Sequence, residues 1–104
     1  MNNAPKVGTG RAVKATQMPD LADKFSTLQL AKAITAKRTG LKLTLDEVAR
    51  TLVISKPTLI KIEKGDSNVK LANLLKVMEY LGLSFSVISD DANDISEAND
   101  DGWF

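Results

Sequence analysis

The chain has 104 residues, 43% of them hydrophobic and 26% charged, with three prolines, six glycines and a formal net charge of +1, the make-up of one small globular domain. It holds no cysteine and no histidine, which removes disulfides, Cys/His zinc sites and imidazole catalysis, and leaves a partner chain as the expected support for so small a core. No apolar run approaches the roughly 20 residues that cross a bilayer and no signal-like segment opens the chain, so the expectation is a cytoplasmic protein, not an enzyme, with no cofactor, no metal and no membrane contact.

Residues 1–19, with Asn2, Asn3, Pro5, Gly8, Gly10 and Pro19, show no helical stripe and are net basic through Lys6, Arg11 and Lys14. Together with Asp20–Phe25, too brief a pattern to fix a helical turn, they read as a flexible basic arm over residues 1–25. From Ser26 or Thr27 a hydroxyl cap precedes Leu30, Ala31 and Ile34, with Lys37 and Arg38 in the last turn and Gly40 as a stop; this is the first helix.

Thr44 followed by Glu47 has the capping-box spacing, in which hydroxyl and carboxylate each satisfy a free backbone N–H. Val48, Ala49 and Leu52 give this second helix its apolar face. Ser55 supplies a cap only three residues after Leu52, and Pro57 falls in the first turn, where its missing N–H costs no intrahelical bond. Leu59 and Ile62 line the inner face of this third helix, and Gly65 ends it. Two short helices joined by about three residues cross steeply, as in a helix-turn-helix.

Asn68 is placed to cap a further helix whose Leu71, Leu74, Leu75, Met78 and Leu81 follow the i, i+3, i+4, i+7 rhythm as far as Gly82. Leu83, Phe85 and Val87 then alternate with serines and read as a half-buried strand. A lone strand needs a partner, and pairing with the same segment of a second subunit across a two-fold axis is the economical solution. A helix-turn-helix and dimerisation domain over residues 26–88 follows.

Residues 89–104 carry six acids and no base, with Ile95, Trp103 and Phe104 as their large apolar side chains, and read as an acidic disordered tail. Its terminal aromatics are either a docking hook for a partner protein or side chains that fold back on their own domain. Charge thus divides along the chain. Residues 1–64 carry twelve Lys/Arg against five Asp/Glu, a net of +7, and residues 65–104 carry two against eight, a net of −6. A basic binding body with an acidic tail fits this asymmetry; ordinary surface charge is the alternative.

The stretch from Thr44 to Gly65, TLDEVARTLVISKPTLIKIEKG, resembles the helix-turn-helix of the Xre/Cro family of bacterial and phage repressors, and the resemblance runs from about Leu28 to Gly82. It is carried by Ala49, Leu59, Ile62 and the Ile-Glu-Lys-Gly ending. Within that family the chain looks most like the HipB-type antitoxins and transcriptional repressors, on Gln29-Leu30-Ala31 with Arg38, on Leu83 to Val87, and on Trp103. The resemblance implies an all-α, lambda-repressor-like domain of four to five helices with one short C-terminal strand paired across a homodimer. Two positions depart from the pattern: Leu45 stands where many members carry a glutamine that binds phosphate, and Val53 replaces a glycine frequent in the turn. A β-branched residue at positive φ is strained, so a slightly altered turn is expected.

By the same resemblance the helix from Ser55 to Lys64 enters the major groove with its N-terminal end at the bases. Lys56 and Lys61 can donate to guanine O6 or N7, Thr58 to phosphate or a base edge, and Pro57 can touch a thymine methyl. Ile60, facing outward, is either a base contact or an ordinary surface isoleucine. Thr44 and Ser55 are caps first and phosphate contacts second. Lys37, Arg38, Lys42, Lys64 and Lys70 are candidate phosphate contacts, Arg38 with the alternative of a structural pair with Glu47 or Glu63. Leu83, Phe85 and Val87 are the dimerisation residues, and Trp103 and Phe104 the hook.

Ser55-Lys56 is no Ser-Lys nucleophile, because neighbours at a helix start point apart, and the Asp90-Asp91 and Asp100-Asp101 pairs lack a shell to orient a metal. The sequence reading is therefore a homodimeric repressor that binds palindromic double-stranded operator DNA and autoregulates its operon. The resemblance implies, further, the antitoxin subunit of a type II toxin–antitoxin module with a HipA-like kinase toxin as partner. A free-standing repressor and a protein-interaction adaptor are the alternatives.

Overall fold

The computed structural model describes residues 13–90; Trp103 and Phe104 lie outside them. Four helices follow in chain order, α1 (Thr27–Gly40), α2 (Leu45–Leu52), α3 (Lys56–Glu63) and α4 (Leu71–Leu81). The expected caps start the first three. The Ser26 hydroxyl accepts from Gln29 N–H at 3.0 Å. Thr44 and Glu47 close both halves of the capping box, Glu47 N–H to Thr44 Oγ1 at 3.0 Å and Thr44 N–H to Glu47 Oε1 at 2.7 Å. Ser55 Oγ accepts from Thr58 N–H at 3.1 Å, with Pro57 in the first turn of α3.

Three helix ends differ from the sequence expectation. Gly40 stays helical and its backbone faces open space; the left-handed residue that turns the chain after α1 is Lys42, at φ 63°. Leu43 N–H then returns to Arg38 O, at 3.1 Å. The α2–α3 turn is not altered to spare Val53, which takes the left-handed conformation itself, at φ 57° and ψ 48°. Asn68 does not cap α4. Its N–H is taken by Asp66 Oδ1 at 2.8 Å, a local turn that uses up the chain after Gly65, so α4 begins behind Lys70 without a side-chain cap.

The core is built from Ile34 of α1, Val48 and Ala49 of α2, Leu59 and Ile62 of α3, and Val77, Met78 and Leu81 of α4, with Leu30, Leu43, Leu45, Leu52, Ile54, Val69, Leu74 and Leu83 packed against it. On α4 the buried side includes Val77, whereas Leu71 and Leu75, expected in the core, stay exposed. Their i, i+4 spacing suits a stripe, but α4 turns its Val77 side toward the other helices and leaves these leucines at the rim. Gly82, at φ 78°, ends α4 and lets Leu83 N–H reach Met78 O at 2.8 Å.

No β-strand is present among the described residues, and residues 83–89 carry no regular secondary structure. Phe85 packs edge-on against Phe25, ring centroids 6.1 Å apart. Part of the expected arm is seated on the helical body. Gln29 Nε2 donates to Asp20 O at 3.0 Å and to Asp23 O at 2.9 Å, and Thr16 N–H donates to Thr39 Oγ1 at 2.9 Å.

Candidate nucleic-acid interface

The first turns of α2 and α3 stand side by side. Asp46, in the first turn of α2, pairs with Lys56, the first residue of α3, at 3.2 Å, both side chains about half exposed. Around this junction lie the two capping hydroxyls: Thr44 is half-buried and Ser55 exposed, the Ser55 hydroxyl also donating to Thr58 Oγ1 at 2.8 Å. Both hydroxyls are therefore engaged as caps. The same caps fix the direction in which the unpaired N–H groups of each helix start point outward, an arrangement that favours anionic oxygen.

Along α3, Lys56, Pro57 and Lys61 are exposed, Thr58 and Ile60 are half-buried, and Leu59 and Ile62 are buried. Helical spacing explains Pro57 and Lys61, which lie opposite the buried Leu59 and Ile62, while Lys56, three residues before Leu59, is exposed as the first residue of the helix. Lys64, at the α3 C-cap, and Lys70, before α4, are exposed. Lys42, two residues before the α2 cap, is exposed and its ammonium donates to Val13 O at 3.1 Å. Lys37 lies elsewhere: its ammonium is 3.8 Å from where a Cβ on Gly82 would stand, at the C-terminal end of α4, where free carbonyls attract a cation.

Arg38 is not part of this cationic surface. Its Nε and Nη2 donate to Glu63 Oε2 and Oε1 at 2.7 and 2.9 Å, and its Nη1 to Leu43 O at 2.9 Å. Only 10% of its side chain and 9% of that of Glu63 remain exposed. Thr35 Oγ1 adds a bond to Glu63 Oε1, at 2.9 Å. Of its two possible carboxylate partners Arg38 takes Glu63, because the Glu47 carboxylate is bound in the capping box. A bidentate pair of this kind locks the end of α3 against α1 and so sets how far the start of α3 projects.

Sequence reasoning missed the Asp46–Lys56 pair. Ten residues apart and on two helices, the partners leave no local signal. It missed also Lys76, whose ammonium reaches Leu52 O at 3.3 Å and satisfies a free carbonyl at the end of α2.

Two short helices joined by a tight turn, with a buried inner face and a second helix that exposes lysines, are the arrangement of a helix-turn-helix DNA-binding regulator. The helix-turn-helix family model, HTH_3, matches residues 34–88, just over half of the chain, and the chain belongs to this Xre-type family. Two similar solved structures are described as "Structure of HipA-HipB-O2-O3 complex", at TM-score 0.59, and "HipB-O4 20mer complex", at TM-score 0.58; in each, 26% of residues are identical and the match covers 66% of this chain and 97% of that one. The chain is HipB-like in this sense. A third, a hypothetical transcription factor NHTF from Neisseria, shares the fold at 22% identity and TM-score 0.54, covering 71% of this chain and 83% of that one. Among proteins of curated function no sequence matches significantly. No helix among the described residues is long and apolar enough to cross a membrane.

Proposed function

We propose that the chain is a homodimeric, sequence-specific transcriptional repressor that serves as the antitoxin subunit of a toxin–antitoxin module, binds the operator of its own operon, and holds a HipA-like kinase toxin in complex. The observation that carries the DNA reading is the outer side of α3, opened by Ser55 and Pro57 and exposed at Lys56 and Pro57 in its first turn and at Lys61 in its second, beside the capped start of α2. In this reading α3 lies in the major groove. Lys56, Pro57, Thr58, Ile60 and Lys61 meet base edges, while Thr44, Ser55, Lys42, Lys64 and Lys70 meet phosphates. Two copies pair through Leu83, Phe85 and Val87, so that two α3 helices face major grooves one or two helical turns apart.

The toxin part rests on the 26% identity to the HipB chains over nearly their whole length and on the acidic tail ending in Trp103-Phe104. Residues 26–88 are the binding and dimerisation domain, and residues 89–104 the docking tail. The testing experiment is a capture from the source cells with the full chain and with a version ending at Ile88, both also titrated with DNA from upstream of the gene. The reading expects both versions to bind that DNA, with roughly a thousandfold or greater loss of affinity between 50 and 200 mM salt if 6 to 10 phosphates are contacted. It also expects a kinase encoded next door to be captured by the full chain alone. Salt-independent binding refutes groove docking, and DNA binding without kinase capture leaves an operon repressor with no toxin.

A further inference from the structure

Among the described residues two ion pairs form, and only the one between Asp46 and Lys56 lies at the surface. Its partners start the two helices of the helix-turn-helix, Asp46 in the first turn of α2 and Lys56 as the first residue of α3. The Lys56 ammonium lies 3.2 Å from Asp46 Oδ1, with 48% and 61% of the two side chains exposed. A pair so open to water adds little to the stability of a fold. Nor does the start of α2 need Asp46 as a cap, because Thr44 and Glu47 already close the capping box between them.

The pair has instead a consequence for what Lys56 can bind. A lysine ammonium is a point charge on a flexible stem, free to turn toward any phosphate within reach. Asp46 restrains that stem and offsets its charge. A phosphate that approaches the pair meets a carboxylate as well as an ammonium, whereas a neutral acceptor edge, such as guanine O6 and N7, meets far less repulsion. The other lysines of this surface lack that restraint. Lys61, Lys64 and Lys70 form no ion pair among the described residues, and Lys42 donates to a backbone carbonyl.

We propose that Asp46 is a specificity-determining residue that acts through Lys56, holding its ammonium for a base edge and away from phosphates. The inference rests on the groove-docking reading, in which Lys56 meets a base edge, and deepens it. In this arrangement the acid lowers affinity for DNA in general and raises the share of that affinity that depends on sequence. An acid in the first turn of a helix also suits the helix dipole, but that role bears on stability and leaves base preference unmoved.

The test is fluorescence anisotropy with two labelled duplexes, one from upstream of the gene and one of the same composition in scrambled order, at roughly 50 to 200 mM salt. Four full-length chains are compared: unmodified, Asp46→Asn, Lys56→Ala and the double variant. Asparagine keeps the shape of the aspartate, and all four are expected to show the same helical circular dichroism. Asp46→Asn is expected to tighten binding to the scrambled duplex and to steepen its log–log salt slope by about 0.9 per chain, as Lys56 gains a phosphate. The ratio of the two affinities is expected to fall at least about fivefold, the low end of what one base contact contributes. In the Lys56→Ala background the same change is expected to leave that ratio where it stands. A ratio untouched by Asp46→Asn, in a chain that prefers the upstream duplex, makes Asp46 an acid that serves only the helix start and overturns the proposal alone. So does a fall of equal size in both backgrounds, which puts the carboxylate itself on the DNA. An unmodified chain that binds both duplexes alike, or neither, overturns the reading of DNA by α3 and this proposal with it.

Discussion

Val53 carries a conformation its side chain resists. A left-handed backbone costs an L-residue roughly 1–2 kcal/mol, and Val53, 84% exposed, regains little of this by burial. Val53→Gly removes the strain and adds back part of it as unfolded-chain entropy, about 0.4–1 kcal/mol. The expected outcome is a net stabilisation of about 0.5–1 kcal/mol, read as a rise of about 3–6 °C in thermal midpoint by differential scanning calorimetry. An unchanged or lower midpoint means that the valine makes up its strain elsewhere. The Arg38–Glu63 pair behaves in the opposite way. Glu63→Ala leaves a guanidinium that is nine-tenths buried without its carboxylate and is expected to cost about 3–5 kcal/mol in urea denaturation. The double change Arg38→Met/Glu63→Leu removes both charges and is expected to cost far less. Equal losses in the two variants would show that packing, and not the unpaired charge, sets the penalty.

At the scale of elements, the proposed function makes α3 the part that reads and the turn before α2 the part that positions. Lys61 is exposed on the second turn of α3, so Lys61→Ala is expected to lose about 1–3 kcal/mol on the operator and to relax preference at one base pair. Lys42 stands at a positive φ, so Lys42→Gly removes the charge without disturbing the backbone. It is expected to weaken all DNA alike and to lower the salt slope by about 1. Anisotropy titration on operator and scrambled duplexes separates the two; identical behaviour would place the reading face elsewhere. The helices that present these lysines were legible because their starts are local. Ser26, the Thr44–Glu47 box and Ser55 with Pro57 bond to N–H groups within three residues of themselves. What depends on distant partners was not legible in the same way. Asp66 takes the N–H of Asn68 and delays α4, Val77 rather than Leu71 turns inward, and Glu63 rather than Glu47 receives Arg38. Each is decided by how α4 and the end of α3 sit on α1.

At the scale of the whole fold, the described residues leave several large apolar side chains exposed in and after α4. Leu71 and Leu75 of α4, Phe85, Val87 and Ile88 are each exposed, Val87 at 98%, on a chain whose 104 residues make a small core. Residues 84–89 form none of the described backbone hydrogen bonds, and apolar side chains fall at every second position from Leu83 to Val87. A second copy of the same segment, antiparallel about a two-fold axis, satisfies both needs in one step. Side chains alternate between faces with a period of two, which makes the idea sharp. Phe85→Asp, on the face of Leu83 and Val87, is expected to give monomers in multi-angle light scattering, whereas Ser86→Asp, one residue on and facing the other way, is expected to leave the dimer intact. Operator affinity should fall with the first and not with the second, because two half-sites are held together only while the copies are linked. A dimer that survives Phe85→Asp moves the interface off this segment. Loss of the dimer with both variants would mean that charge anywhere in the segment is rejected, and that the pairing is not a strand pairing with one buried face.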